Sequence, residues 1–246
     1  MTAKKESVDH SASNKIIEAS IQAEVKSGAG AALVSPAASK KNFANQLKDL
    51  TQEQVETAAN EIQKEFADRI VFENKHGGSA SKISSLEESF KRLTKDHAVK
   101  ALIVTGTSPS FINKSAREGS RYNIYAIRDK IVDLCDALGQ DKGVLANKVN
   151  LAVMRSMFAF RDSKVPFTGQ CAIYATSDKI RIDKSLNALL TRHTVSANTA
   201  GTQASSTMSA LQTMGIVKNA GTVKAAVYEL TSAASVKHLE TMLKAA

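Results

Sequence analysis

The chain is short of most of what chemistry at a site requires. Among 246 residues there are two cysteines, Cys135 and Cys171, each inside an apolar helical pattern and with no C-x-x-C pairing anywhere. Thiols so placed read as small buried hydrophobes rather than as a disulfide or a metal pair. The five histidines, His10, His76, His97, His193 and His238, follow no H-E-x-x-H or other ligand spacing. G-x-S-x-G is missing as well, so a nucleophile has no candidate. No catalytic residue, metal or cofactor is expected, and the chain reads as not an enzyme. No apolar run approaches the ~18 residues needed to span a bilayer. The start, MTAKKESVDHSASNK, lacks the apolar core of a signal peptide. The expectation is a soluble protein with no membrane partner that stays in the cytoplasm where it is made.

What is present is a core and a charge imbalance. Hydrophobic residues make up 43% of the chain, enough for a real core, and the net charge is +9. That charge is unevenly spread: residues 1–42, 43–142 and 143–246 carry +2, 0 and +7. The excess lies where a polyanion-binding surface would need it if such a surface were C-terminal.

Three regions follow from composition and periodicity. Residues 1–41, rich in Ala, Ser, Gly and Lys, read as a flexible arm, within which Ile17, Ile21 and Val25 mark a short amphipathic stretch over 14–26. Residues 42–142 read as a helical domain. Thr51 with Gln54 has the form of a capping box, and Val55, Ala59, Ile62, Phe66 and Ile70 then share one helix face. Ser84 with Glu87, or Ser85 with Glu88, is expected to start the next helix, through Leu86, Phe90 and Leu93. The run Ala101 to Val104 fits a helix end or a strand equally well. The loop beyond it, ahead of Lys114 and Arg117, has neither G-x-x-x-x-G-K-[ST] nor G-x-G-x-x-G, so it reads as an ordinary connection. Ile124, Ile127, Ile131, Leu134 and Leu138 predict a helix ending at Gly139 as a C-cap.

Residues 143–246 read as a basic domain. A helix through Leu145, Val149, Val153, Met157 and Phe160 presents a core seam and, on a neighbouring face, a basic stripe of Lys148 and Arg155 with Arg161 just beyond. Pro166 stops it. A short helix capped by Thr168 and another over 184–193 come next, then the turn TVSANTAGTQ. In residues 202–230, TQASSTMSALQTMGIVKNAGTVKAAVYEL, the residues Ala204, Met208 and Leu211 form an apolar helical stripe. Gly215 stands where a left-handed cap is expected, and two β-prone runs flank a Lys-Asn-Ala-Gly turn. A last helix, through Val236, Leu239 and Leu243, closes the chain.

Helix, stop, strand, turn and strand in that order, with a Ser/Thr-rich helix ahead of Gly215, resembles the winged helix-turn-helix family. The likeness covers the last third of the chain. It implies a fold that is mainly α with a small β-hairpin, a helical N-terminal region followed by a C-terminal winged helix. It also implies binding of nucleic acid, above all duplex DNA, with Thr202, Gln203, Ser205, Ser206 and Ser209 toward the bases. Lys218 and Lys224 on the wing, and Lys148 and Arg155, would then hold phosphates. The helix offers no arginine to fork onto guanine, so only modest sequence preference is expected. Separately, RYNIYA, NLAVMRSMF and TRHTVSANTAGTQASS resemble segments of proteins from large tailed bacteriophages. That likeness implies an origin in a phage-infected bacterial cytoplasm and no activity.

The expected function is a non-catalytic DNA-binding regulator or accessory factor. Two alternatives fit the same residues: a structural nucleic-acid packaging or coat-type protein that forms homo-oligomers, and a scaffold whose winged helix docks protein.

Overall fold

The computed structural model describes residues 41–114, 123–140, 143–222 and 225–245. The arm with its 14–26 stretch, and Arg117 and Lys224, lie outside the described residues apart from Lys41. Helix α1 spans Phe43–Lys48 and α2 spans Gln52–Lys75. The capping box forms as expected: Gln54 N donates to the Thr51 hydroxyl and Thr51 N donates to Gln54 Oε1. Helix α3 spans Ala80–Leu93 and is capped by Ser79, which accepts from Lys82 N, so the expected caps at Ser84 and Ser85 lie inside the helix. Helix α4 spans Asp96–Thr105 and resolves the run Ala101 to Val104 as helix, ended by Gly106 at φ 69°. A 3-10 turn, Pro109–Asn113, follows.

The central element is α5, Ile124–Gly139, which packs against α3, α4 and two later helices. Gly139 is its last residue rather than a left-handed cap. A Cβ there would lie 2.1 Å from the His97 carbonyl oxygen, so this glycine lets α4 and α5 approach closely. Then come α6, Lys148–Asp162, capped by Asn147; the two-residue strand β1, Phe167–Thr168; and α7, Gly169–Thr176, capped by Thr168 as expected. Helix α8 is one turn, Lys184–Asn187, shorter than the 184–193 expected. Helix α9 spans Ala197–Thr213; β2, Val217–Asn219; β3, Val227–Leu230; and α10, Ala234–Ala245. Gly215 takes φ 63° between α9 and β2, where a left-handed turn was expected.

The fold is therefore mainly helical with one small antiparallel sheet, strand order β1-β3-β2. The pairing sets Phe167 against Tyr228 and Lys218 against Glu229. Sequence periodicity missed β1, because two residues are too few to show alternation. One buried cluster runs from Phe43 to Leu239 through both halves of the chain. Helix α9 packs on α5 as well as on α6 and α7, and α10 packs on α1, so the expected boundary at 142/143 does not separate two cores.

A buried polar network crosses that same junction. Asn150, fully buried on α6, donates to the Lys130 carbonyl oxygen at 3.1 Å and to Asp133 Oδ2 at 2.8 Å, and accepts from the Thr207 hydroxyl of α9. Asn147 N donates to Asp133 Oδ1, and Lys130 Nζ donates to Asn147 Oδ1. Burial pulls the Lys130 ammonium down to about 8, against the opposing pull of Asp133 and Asp129. Burial likewise pushes Asp133 up, partly offset by the hydrogen bonds from Asn147 and Asn150.

A pH dependence follows from Lys130. Between its folded value near 8 and its ordinary value of 10.5, the unfolded chain binds the extra proton. Stability contributed by this residue therefore rises with pH across that window. Urea unfolding of the wild type and of Lys130→Met at about pH 7 and about pH 9.5 checks this. The wild type should gain on the variant at the higher pH; parallel changes in the two proteins would mean that Lys130 keeps its ordinary proton affinity when folded.

Candidate nucleic-acid interface

Helix α9 buries the stripe Ala204, Met208 and Leu211 at 2%, 3% and 0% exposure, the face expected from its periodicity. Its outer stripe repeats at i, i+3 and i+7. Thr202 is exposed, and Ser205 and Ser209 are half-buried, with Asn198 exposed one turn earlier. Gln203 sits half-buried to one side of that stripe. Ser206 does not join it. At 5% exposure its hydroxyl donates to the Gln203 carbonyl oxygen at 3.0 Å, so this side chain is turned inward and the expectation that it faces the bases is corrected. The cause is packing: α9 is covered by α5, α6 and α7 on several sides, which leaves a narrower outer face than an amphipathic helix on a surface would show.

The basic residues are split. Lys148 is exposed in the first turn of α6 and Arg155 is half-buried two turns on, with no ion pair for either among the described residues. Arg161 leaves that stripe. Its guanidinium forks onto Glu240 of α10, at 2.9 Å and 2.8 Å, and also donates to Asp162. The guanidinium and Lys244 together hold the Glu240 carboxyl down to about 2. Arg161 thus ties α6 to the C-terminal helix. On β2, Lys218 is exposed but meets Glu229 across the strand pair, Nζ to Oε2 at 3.0 Å. An exposed pair of this kind is worth about 0–1 kcal/mol, so a phosphate could displace Glu229 at little cost. Lys224 is outside the described residues.

Sequence alone shows the connection between α7 and α9, residues 177–196, as no more than a helix and a turn. Arg192 organises it. Its Nε donates to the Tyr174 carbonyl oxygen at 3.1 Å, and its Nη2 donates to the carbonyl oxygens of Ser177 and Ile180. An antiparallel bridge joins Ser177 to Thr194, and Asp178 N donates to the His193 carbonyl oxygen at 2.8 Å. No spacing rule signals this, because the acceptors are backbone carbonyls brought together by the fold.

Both cysteines are buried and unpaired with each other, and burial pushes the Cys135 thiol up. Among the described residues no cluster of three His, Cys, Asp or Glu side chains is placed to hold a metal ion, and no helix is long and apolar enough to cross a membrane. Comparison with protein-family models, with curated proteins and with solved structures finds no match to this chain.

Proposed function

We propose that residues 148–230 form a winged helix and that the protein is a non-catalytic binder of duplex DNA, acting as a regulator or accessory factor. The observation that carries the reading is topological. Helix α6, strand β1, helices α7 and α9 with the one-turn α8 between them, then β2 and β3 follow one another, and the sheet order is β1-β3-β2. That is the arrangement in which a helix-turn-helix pair is backed by a three-stranded wing. The +7 charge of residues 143–246 adds the electrostatic footprint that phosphate binding requires.

In this reading the outer stripe of α9, with Thr202, Ser205 and Ser209, meets the groove. Lys148, Arg155 and Lys218 sit toward the backbone, and Gln203 reaches a base edge from its side of the helix. Hydroxyls and one amide discriminate bases less than a bidentate arginine does, so preference among sequences is small. Gln203→Ala and Thr202→Ala should leave the salt dependence of binding unchanged and alter only discrimination between sites, measured by anisotropy on a panel of duplexes.

A specific observation favours a second reading, a protein-docking scaffold: Ser206 and Thr207 are buried, and Lys218 already has an anionic partner. A gel-shift titration on random duplex and on single-stranded DNA, with the bound species sized, separates the readings. Saturation of a short duplex by one or two copies supports the proposal. Coating without limit supports a packaging protein, and absence of any shift supports the scaffold.

A further inference from the structure

We infer that the connection between α7 and α9, and above all Lys179, Arg181 and Lys184, is a built contact surface for the phosphate backbone of duplex DNA. The inference rests on the DNA-binding reading and goes beyond it, because it moves the main phosphate contact off the wing onto a connection far longer than the turn of about 3–4 residues that joins a helix-turn-helix pair.

Three observations carry it. The first is length. Helix-turn-helix pairs are joined by a turn of about 3–4 residues, whereas α7 and α9 are joined by residues 177–196. The second is order. Long connections usually lose conformational freedom when they bind, but this one is already tied down. Arg192 gathers the carbonyl oxygens of Tyr174, Ser177 and Ile180; Ser177 pairs with Thr194; and the Ser177 hydroxyl donates to the Val195 carbonyl oxygen at 2.7 Å. The Thr191 backbone is anchored on α6 as well, by exchange of hydrogen bonds with the buried Ser156 hydroxyl. These bonds hold residues 177–180 beside residues 192–194, immediately ahead of α9. The ordered segment leads directly into α9, whose first two turns carry the exposed residues Asn198 and Thr202.

The third is charge that the protein leaves uncompensated. Lys179, Arg181 and Lys184 are all exposed, and among the described residues none of them makes an ion pair. By contrast Lys218 on the wing is paired with Glu229, and Arg161 and Lys244 are both paired with Glu240. Within the connection the acidic residues are Asp178 and Asp183, and Asp178 is occupied as an acceptor for the Thr194 hydroxyl. Four basic side chains against two acidic ones leave the segment at +2. Its apolar residues Ile180, Leu186, Leu189, Leu190 and Val195 pack onto the core, so they seat the backbone while the cations project. A preorganised segment with free cations suits counterion release at a polyanion, because little ordering entropy is lost on binding.

The test uses the full chain and a random-sequence duplex, with affinity measured by fluorescence anisotropy from low to high salt. Lys179→Gln, Arg181→Gln and Lys184→Gln are made singly and together. Each lost phosphate contact should lower the salt slope by roughly 0.9, so the triple variant should lose between about 2 and 3 units of slope, equally on every sequence. The charge-retaining set K179R, R181K and K184R should keep the wild-type slope. All the substituted side chains are exposed, so thermal melting should be unchanged; the single variants carry the test if the triple variant does not fold. If the wild type binds and the triple variant keeps the full slope, the connection is not on the backbone and the inference is overturned while the DNA-binding reading stands. If the wild type binds no duplex at any salt concentration, both fall.

Discussion

Leu211→Ala should lower the stability of the fold by about 2–5 kcal/mol, through lost burial and the cavity left behind. Leu211 is fully buried in the last turn of α9, a helix that packs on α5, α6 and α7. Urea unfolding followed by circular dichroism measures it, as a shift in midpoint with the slope unchanged. A variant of wild-type stability that had lost duplex binding would reverse the assignment of faces on α9, with Leu211 outward and Thr202 and Ser205 inward.

Asn150→Ala is expected to cost about 3 kcal/mol, because each buried polar group left without a partner costs about 1–3 kcal/mol and this change takes the partner of both Asp133 Oδ2 and the Thr207 hydroxyl. The Lys130 carbonyl, Asp133 Oδ2 and the Thr207 hydroxyl all lose a contact. Asn150 joins α5, α6 and α9, so the loss should appear as one cooperative transition at lower denaturant rather than as separate melting of two halves. A biphasic transition, with residues 143–245 melting first, would restore the boundary at 142/143 that the continuous core argues against. The same measurement on Asn150→Asp adds a carboxylate beside Asp133, already pushed up by burial, and should be at least as damaging near neutral pH.

Much of the helical frame was legible because it follows from side-chain periodicity, a local property. Val55 and Ile62 on α2, and Ala204, Met208 and Leu211 on α9, are buried where a 3.6-residue repeat puts them. The Thr51 and Gln54 capping box was legible for the same reason, since both partners lie within one turn. What was not legible depends on partners far apart in sequence. Strand β1 exists because Phe167 and Thr168 pair with Tyr228 and Val227, and the residues themselves carry no alternation. Arg161 reads as part of a basic stripe until Glu240 is found opposite it, and Lys218 reads as a free wing cation until the register sets Glu229 across from it.

Ser206 illustrates the same limit on the candidate interface. A helical wheel places it among polar residues, but α9 is wrapped by three helices rather than packed on one side, and its hydroxyl is satisfied by its own helix at Gln203. The continuity of the core across residues 142 and 143 was hidden for a related reason. Net charge changes sharply near residue 142, but charge describes the surface, and the core beneath it is continuous from α5 into α9. The basic connection is not legible in the sequence because its organising contacts are made by Arg192 to main-chain oxygens, which no residue pattern encodes.

We propose that the C-terminal half meets duplex DNA through α9 and the segment ahead of it, and amide hydrogen exchange of the full chain, with and without a saturating random duplex, measures that contact. The expected result is added protection over residues 177–203 and over β2 and β3, with α2 and α3 unchanged. Absence of any protection, or protection confined to α2 and α3, would contradict it.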